Sequence, residues 1–209
     1  MKDSANLFNK DYFEDGVKQK LSGYENYRYL PTRSYEEAIT LTEDIFYYVN
    51  KHTSILDLGC AKGYLVHALR QLGFNAYGED ISKYAIDNCH PSVQEYVNPL
   101  TDDLYDFIVC KDMMEHISEK EVLKTLVNIR KRCTDALFII PFGDDDVFRI
   151  KEYEIDITHV TKKDEDWWIN MFRDAGFRLD TFTYKLGAIK KKWTSKYPYG
   201  NGFFLVSSQ

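Results

Sequence analysis

Two sets of residues in this sequence have the types and spacing that chemistry needs. One is Asp57-Leu58-Gly59-Cys60-Ala61-Lys62-Gly63, an acid followed by a turn bracketed by glycines. Glycine admits φ > 0 and lets a ligand lie against bare backbone, and the first N–H groups of a helix that starts beyond it point outward without partners. Such a turn is a binding loop. The other set is the histidines, because an imidazole titrates near neutrality and is the first group to consider as a base. His52, His67 and His90 fall before a strand, inside a helical pattern and beside Pro91, and read as surface or packing positions. His116, in Glu115-His116-Ile117, and His159, in Asp156-Ile157-Thr158-His159, remain. Asp156 is spaced to orient the His159 ring as a base would need, the bland alternative being a plain loop histidine.

The elements that must position these groups follow from periodicity. Ser54, Ile55, Leu56 and Leu58 make a β-branched and aliphatic run of strand length, and from Tyr64 to Leu72 the pattern turns helical. A strand therefore hands over to a helix through the glycine turn, as at the carboxyl end of a strand in an open α/β sheet. A G-x-G-x-x-G fingerprint would need glycines where Ala61 and Tyr64 stand, and no G-x-x-x-x-G-K-[ST] loop occurs anywhere.

The run D-L-G-C-A-K-G, then G-E-D-I-S at 78–82 and D-F-I-V-C-K-D-M-M-E-H-I at 106–117, resembles the class I S-adenosylmethionine-dependent methyltransferases over roughly residues 45–180. The resemblance implies an α/β fold: a Rossmann-like, doubly wound, seven-stranded sheet, mostly parallel with one antiparallel strand near the C-terminus. It implies S-adenosylmethionine as cofactor, held by Asp57, Gly59, Cys60, Ala61, Gly63, Asp80, Ile81, Asn98 and Lys111. Asp80 would take the ribose hydroxyls and Asn98 the adenine amino group, while Ala61 replaces the family's central glycine.

The 209 residues suffice for one domain with a substantial core, at an ordinary hydrophobic fraction of 44%. A net charge of −6 and a pI near 5.4 argue against a nonspecific grip on nucleic acid and suit a cationic ligand such as a sulfonium. Cys60, Cys89, Cys110 and Cys133 form no C-x-x-C pair, so neither zinc nor a disulfide framework is indicated. With no apolar leader or membrane-length run, a soluble cytoplasmic protein is expected.

Along the chain, residues 1–50 read as an aromatic arm and a helix opened by a Ser34–Glu37 capping box, serving as a wrap over the core or a lid over cofactor and substrate. Residues 51–209 read as the cofactor-binding domain. Val93 to Val97 is expected as the third strand, 141–163 as a loop without regular elements, Thr161 at the start of a helix stopped by Gly176, and a lysine-rich turn at 190–196 between two last strands.

The expected activity is methylation of a small molecule, most naturally at oxygen in a sugar, nucleotide-linked sugar or secondary metabolite, with His159, Asp156 and His116 as catalytic candidates. N-methylation and a non-catalytic cofactor-binding partner subunit are the alternatives. Lys190, Lys191, Lys192 and Lys196 would hold an anionic portion of the acceptor, or form a solvated hairpin tip. Asp144-Asp145-Asp146 near Asp156 and His159 raises a divalent metal, but a loop of unknown shape supplies no ligand geometry, and no metal is expected. Oligomeric state is left open.

Overall fold

In the computed structural model, which describes residues 6–45, 49–50 and 53–208, period-two strands alternate with helices around one sheet. The strands β1 (Ser54–Leu58), β2 (Asn75–Glu79), β3 (Val97–Asn98), β4 (Tyr105–Lys111), β5 (Cys133–Pro141), β8 (Arg178–Thr183) and β9 (Asn201–Ser207) stand in the order β3-β2-β1-β4-β5-β9-β8. β9 runs antiparallel to its neighbours β5 and β8, and the other pairings are parallel. This is the expected Rossmann-like sheet. Among the described residues no helix is long and apolar enough to cross a membrane.

Alternation along the strands divides the core in two. Ile55, Phe107, Val109, Leu137 and Ile139 face α3 (Pro31–Glu43) and α4 (Tyr64–Gln71). Leu56, Ile108, Cys110, Phe138 and Ile140 face α6 (Glu119–Arg130) and α7 (Glu165–Asp174). Trp168 and Phe172 on α7 are completely buried against Phe204. Each such side chain contributes about 1.5–3 kcal/mol by burial. A strand covered on both faces is apolar throughout, which explains Phe107-Ile108-Val109-Cys110.

Several expected boundaries move. Pro31 occupies the first helical position of α3, so the helix begins a turn before Ser34, which lies inside it. Glu37 makes no capping box; its carboxylate meets Arg33 at 3.3 Å and Lys111 at 3.6 Å. The third strand is only Val97–Asn98, because Pro91–Val93 coils into a 3₁₀ turn. The stretch 141–163 carries a two-stranded hairpin, β6 (Gly143–Asp144) with β7 (Val147–Phe148), and a 3₁₀ turn at Lys151–Ile155. α7 is capped by Asp164, whose side chain accepts from Trp167 N at 2.8 Å, and Thr161 instead donates to the Ile117 carbonyl. The lysine stretch forms a short helix, α8 (Lys191–Lys196). The N-terminal segment adds α1 (Lys10–Glu14) and α2 (Gly16–Gln19), and α5 (Lys83–Asp87) follows β2. His52 lies outside the described residues.

Candidate active site

Strand order reverses between β1 and β4, so the loops leaving these two strands part and open a crevice at their carboxyl ends. The glycine turn enters it from β1, Asp80 and Ile81 from β2, and Lys111 to Ile117 from β4. The crevice holds a cavity of about 480 Å³ lined by all three segments and roofed by the N-terminal arm.

Local physics explains the glycine turn. Gly59 has φ 81°, and a Cβ there would lie 2.9 Å from Met113 Cγ on the loop after β4, so both dihedral and space require glycine. Ala61 adopts φ 48° where the resembled family has glycine. A left-handed alanine costs roughly 1–2 kcal/mol. Its N–H donates to Asp80 Oδ2 at 2.7 Å, a charge-assisted bond of about 1.5–3 kcal/mol that offsets the strain. Asp80 Oδ1 accepts from Ser82 N at 2.7 Å, so one carboxylate ties the turn to the start of α5 and keeps lone pairs for a further donor.

Asp57, Gly59, Cys60, Ala61, Asp80, Ile81 and Lys111 all line the cavity. Gly63 and Asn98 do not. Gly63 starts α4 at φ 69° with its α-carbon turned to β3, where a Cβ would lie 2.8 Å from Val97 Cγ2. Asn98 is exposed at the end of a two-residue strand, and Leu100, Thr101 and Asp102 supply the wall expected of it. Asp57 is 6% exposed, and no hydrogen bond reaches its carboxylate among the described residues. Burial pushes its pKa up to about 7, with Lys111 opposing and Glu37 and Asp80 adding to the rise. Burial likewise raises Asp80, restrained by the N–H groups of Ser82 and Ala61.

At the far end, His116 is the one catalytic candidate that lines the cavity. Its Nδ1 lies 2.8 Å from Thr158 Oγ1, which donates to Asp156 Oδ1 at 2.6 Å, so the imidazole donates from Nδ1 and leaves Nε2 bare. Asp156 also accepts from Thr158 N at 2.9 Å and from Tyr12 O–H at 2.7 Å. His159 stands behind His116, ring centroids 4.6 Å apart, and neither it nor Asp156 reaches the cavity wall. The expected steering of His159 by Asp156 is also corrected: Asp156 Oδ2 is 3.7 Å from Nε2, too far for a hydrogen bond. The ring is oriented instead by donation from Nδ1 to the Tyr153 carbonyl at 2.8 Å. Burial lowers the pKa of His116 to about 4, with His159 adding to the effect. Burial lowers His159 as well, against the pull of Asp156.

Sequence reasoning passed over Asp112 and Glu115. Asp112 takes φ 53°, pairs with Lys190 and accepts from Tyr153 O–H at 3.2 Å. Burial disfavours its charge, but the ammonium groups of Lys190 and Lys111 outweigh that and hold the carboxyl below the usual range. Glu115 is wholly buried, its carbonyl clamped by the N–H groups of Val160 and Thr161, and burial together with Asp112 pushes its carboxyl well up. The adjacency of Glu115 to His116 was the available signal. Lys190, expected on a solvated turn or an anion site, is buried beneath this cluster; Lys196 pairs with Glu152 at 2.5 Å on the surface.

The arm crosses the cavity and is pinned at both ends of it. Lys62 on the glycine turn donates to Glu14 at 2.5 Å and to the Tyr27 carbonyl at 3.0 Å, and Ser82 donates to the Phe8 carbonyl at 2.5 Å. Tyr27 stacks on Tyr64, and Tyr12 reaches Asp156.

The methyltransferase-domain family matches residues 28–181. No curated protein sequence matches the chain. Among solved structures, the magnesium protoporphyrin IX methyltransferase of Synechocystis PCC 6803, with bound S-adenosylhomocysteine, is similar at TM-score 0.66 and 13% identity over 97% of this chain and 98% of that one. A methyltransferase from Archaeoglobus fulgidus is similar at 0.59 and 16%, over 82% and 92%. The mitomycin 7-O-methyltransferase is similar at 0.60 and 12%; 84% of this chain is covered, which spans only 53% of that enzyme. At such identities these likenesses speak for the fold, and the domain match, over well more than half of the sequence, speaks for descent. The chain belongs to the methyltransferase-domain family.

Proposed function

We propose that the protein transfers the methyl group of S-adenosylmethionine to a hydroxyl of a small molecule held between the β4 loop and the N-terminal arm. The observation that carries this reading is the roofed cavity whose lining includes Asp57, Gly59 and Asp80 together with His116. Its volume of about 480 Å³ lies within the range of small-molecule sites.

The residues fit the cofactor. Asp57 is a buried acid with no hydrogen bond to its carboxylate among the described residues, suited to the ammonium of the methionine portion. Asp80 retains lone pairs for the ribose hydroxyls, and Gly59 lets the ligand approach backbone. Ile81 and Leu100 offer apolar surface for the adenine. When bound, the cofactor supplies an electrophilic methyl carbon on a sulfonium. The protein's part is alignment and exclusion of water, which the arm's aromatic roof provides. With the cofactor held by Asp57, Gly59 and Asp80, an acceptor hydroxyl would be presented to that methyl carbon from the His116 end of the cavity. His116 is the polar ring that meets the acceptor. For an acceptor with an acidic group, Arg28 and Arg33 on the cavity wall are the available cations, in place of the lysines at 190–196.

The test is calorimetry with S-adenosylhomocysteine on Asp80→Ala. Loss of a charged hydrogen bond to the ribose costs about 1.5–3 kcal/mol, so affinity is expected to fall about ten- to a hundredfold. A folded variant with unchanged affinity would overturn the placement of the ribose.

A further inference from the structure

Glu115 is completely buried, and neither of its carboxylate oxygens has a hydrogen-bond partner among the described residues. Buried carboxylates are ordinarily satisfied, so an orphan calls for a missing partner. One donor atom each from Glu115, His116 and His159 fall within 4.8 Å of one another. The hydrogen bonds around the two rings say which nitrogens are free. His116 Nδ1 donates to Thr158 Oγ1, itself committed to Asp156, and His159 Nδ1 donates to the Tyr153 carbonyl. Both Nε2 atoms therefore carry an open lone pair. Histidines that ligate metals are held in this way, the second N–H fixed by a carbonyl or by a chain ending in a carboxylate. The neighbouring acid Asp112 is already paired with Lys190, which leaves Glu115 as the carboxyl without a hydrogen-bond partner among the described residues.

We propose that Glu115, His116 and His159 form a binding site for a divalent transition-metal ion at the acceptor end of the cavity. Two imidazoles and one carboxylate suit zinc, manganese or iron, whereas calcium and magnesium prefer all-oxygen sets. An ion about 2.0–2.2 Å from each donor sets neighbouring donors roughly 3.0–3.6 Å apart in tetrahedral or octahedral geometry, so the donors, now within 4.8 Å of one another, draw in by up to about 1–2 Å on loading, a movement within reach of side-chain rotation. His116 lines the cavity, so the ion's open positions face the acceptor. Resting on the reading of methyl transfer to oxygen, the ion takes the acceptor hydroxyl as a further ligand and favours release of its proton to solvent. The oxygen's electron pair then forms the bond to the methyl carbon while the C–S bond breaks toward sulfur. In the loaded enzyme the His116 nitrogen serves the ion and does not take the proton.

The test uses chelator-stripped full-length protein and manganese(II) chloride alone, followed by electron paramagnetic resonance. One manganese per chain is expected, with nitrogen coupling from two imidazoles. Glu115→Gln is expected to weaken binding at least tenfold, and His159→Ala to remove one nitrogen coupling, while both keep wild-type affinity for S-adenosylhomocysteine. Absence of saturable binding to the wild type, equal binding to wild type and Glu115→Gln, or bound manganese without nitrogen coupling overturns the site. Manganese binding as described in a protein that does not bind S-adenosylhomocysteine supports the site and overturns the methyl-transfer reading, so the two failures are separable.

Discussion

Asp57 is the most informative group to perturb, because the fold buries it with no hydrogen bond to its carboxylate among the described residues and thereby makes stability depend on pH. Its pKa moves from the ordinary 3.8 to about 7. A displacement of about three pH units at 1.36 kcal/mol each comes to about 4 kcal/mol. The folded value is raised, so the native state prefers the neutral acid. The associated stability is complete below about pH 4, where the unfolded chain is also protonated, and is lost as pH rises through 7. Asp57→Asn keeps the size and removes the charge. Urea denaturation of both proteins at pH 4.5, 6 and 8, without ligand, should show the wild type falling behind the variant by about 3 kcal/mol more at pH 8 than at pH 4.5. Reading only the change in the gap cancels every other titrating group and any constant effect of the substitution. Saturating S-adenosylhomocysteine should narrow the gap at pH 8, since an ammonium beside Asp57 stabilises its ionised form. A gap that stays constant from pH 4.5 to 8 refutes the reasoning.

Three further outcomes are expected. Hydrogen exchange across Tyr12–Tyr29 should slow on adding S-adenosylhomocysteine if the arm is a lid over the cavity, whereas equal exchange leaves it a fixed wrap. Tyr12→Phe removes the hydroxyl that donates to Asp156 at 2.7 Å and should lower unfolding free energy by about 1.5–3 kcal/mol; an unchanged urea midpoint contradicts this. With an acceptor in hand, His116→Ala, which removes the ring on the cavity wall, should cut turnover roughly 10²–10⁴-fold with cofactor affinity intact, and near-normal turnover removes that ring from handling of the acceptor.

Much of this arrangement could be read in the sequence where local pattern and tertiary role coincide. The change from strand to helical period across Asp57 to Tyr64 marks the binding loop, because only one side of that junction can face a ligand. Asp80, at the end of the next strand, was expected at the same edge of the sheet, and it lines the cavity there. What escaped depends on pairing at a distance. Lys190 looks like part of a solvated run, yet it is buried as the partner of Asp112, 78 residues away. His159 looked steered by Asp156 because the two are close in sequence, but Thr158 and Tyr12 claim that carboxylate. Ser34 and Glu37 have the spacing of a capping box, and Pro31 overrides it by starting the helix earlier. Asn98 stands exposed at the end of β3 and does not line the cavity, a side-chain placement that spacing along the sequence does not give. Glu115 carried only its adjacency to His116 as a signal, since nothing in a sequence marks an acid as buried with no hydrogen-bond partner among the described residues.

Equilibrium dialysis of the full chain against S-adenosylmethionine tritiated at its methyl group tests the central claim most directly. The account predicts one bound molecule per chain, displaced by S-adenosylhomocysteine and weakened about ten- to a hundredfold in Asp80→Ala. A wild-type protein that retains no label at millimolar cofactor would contradict it.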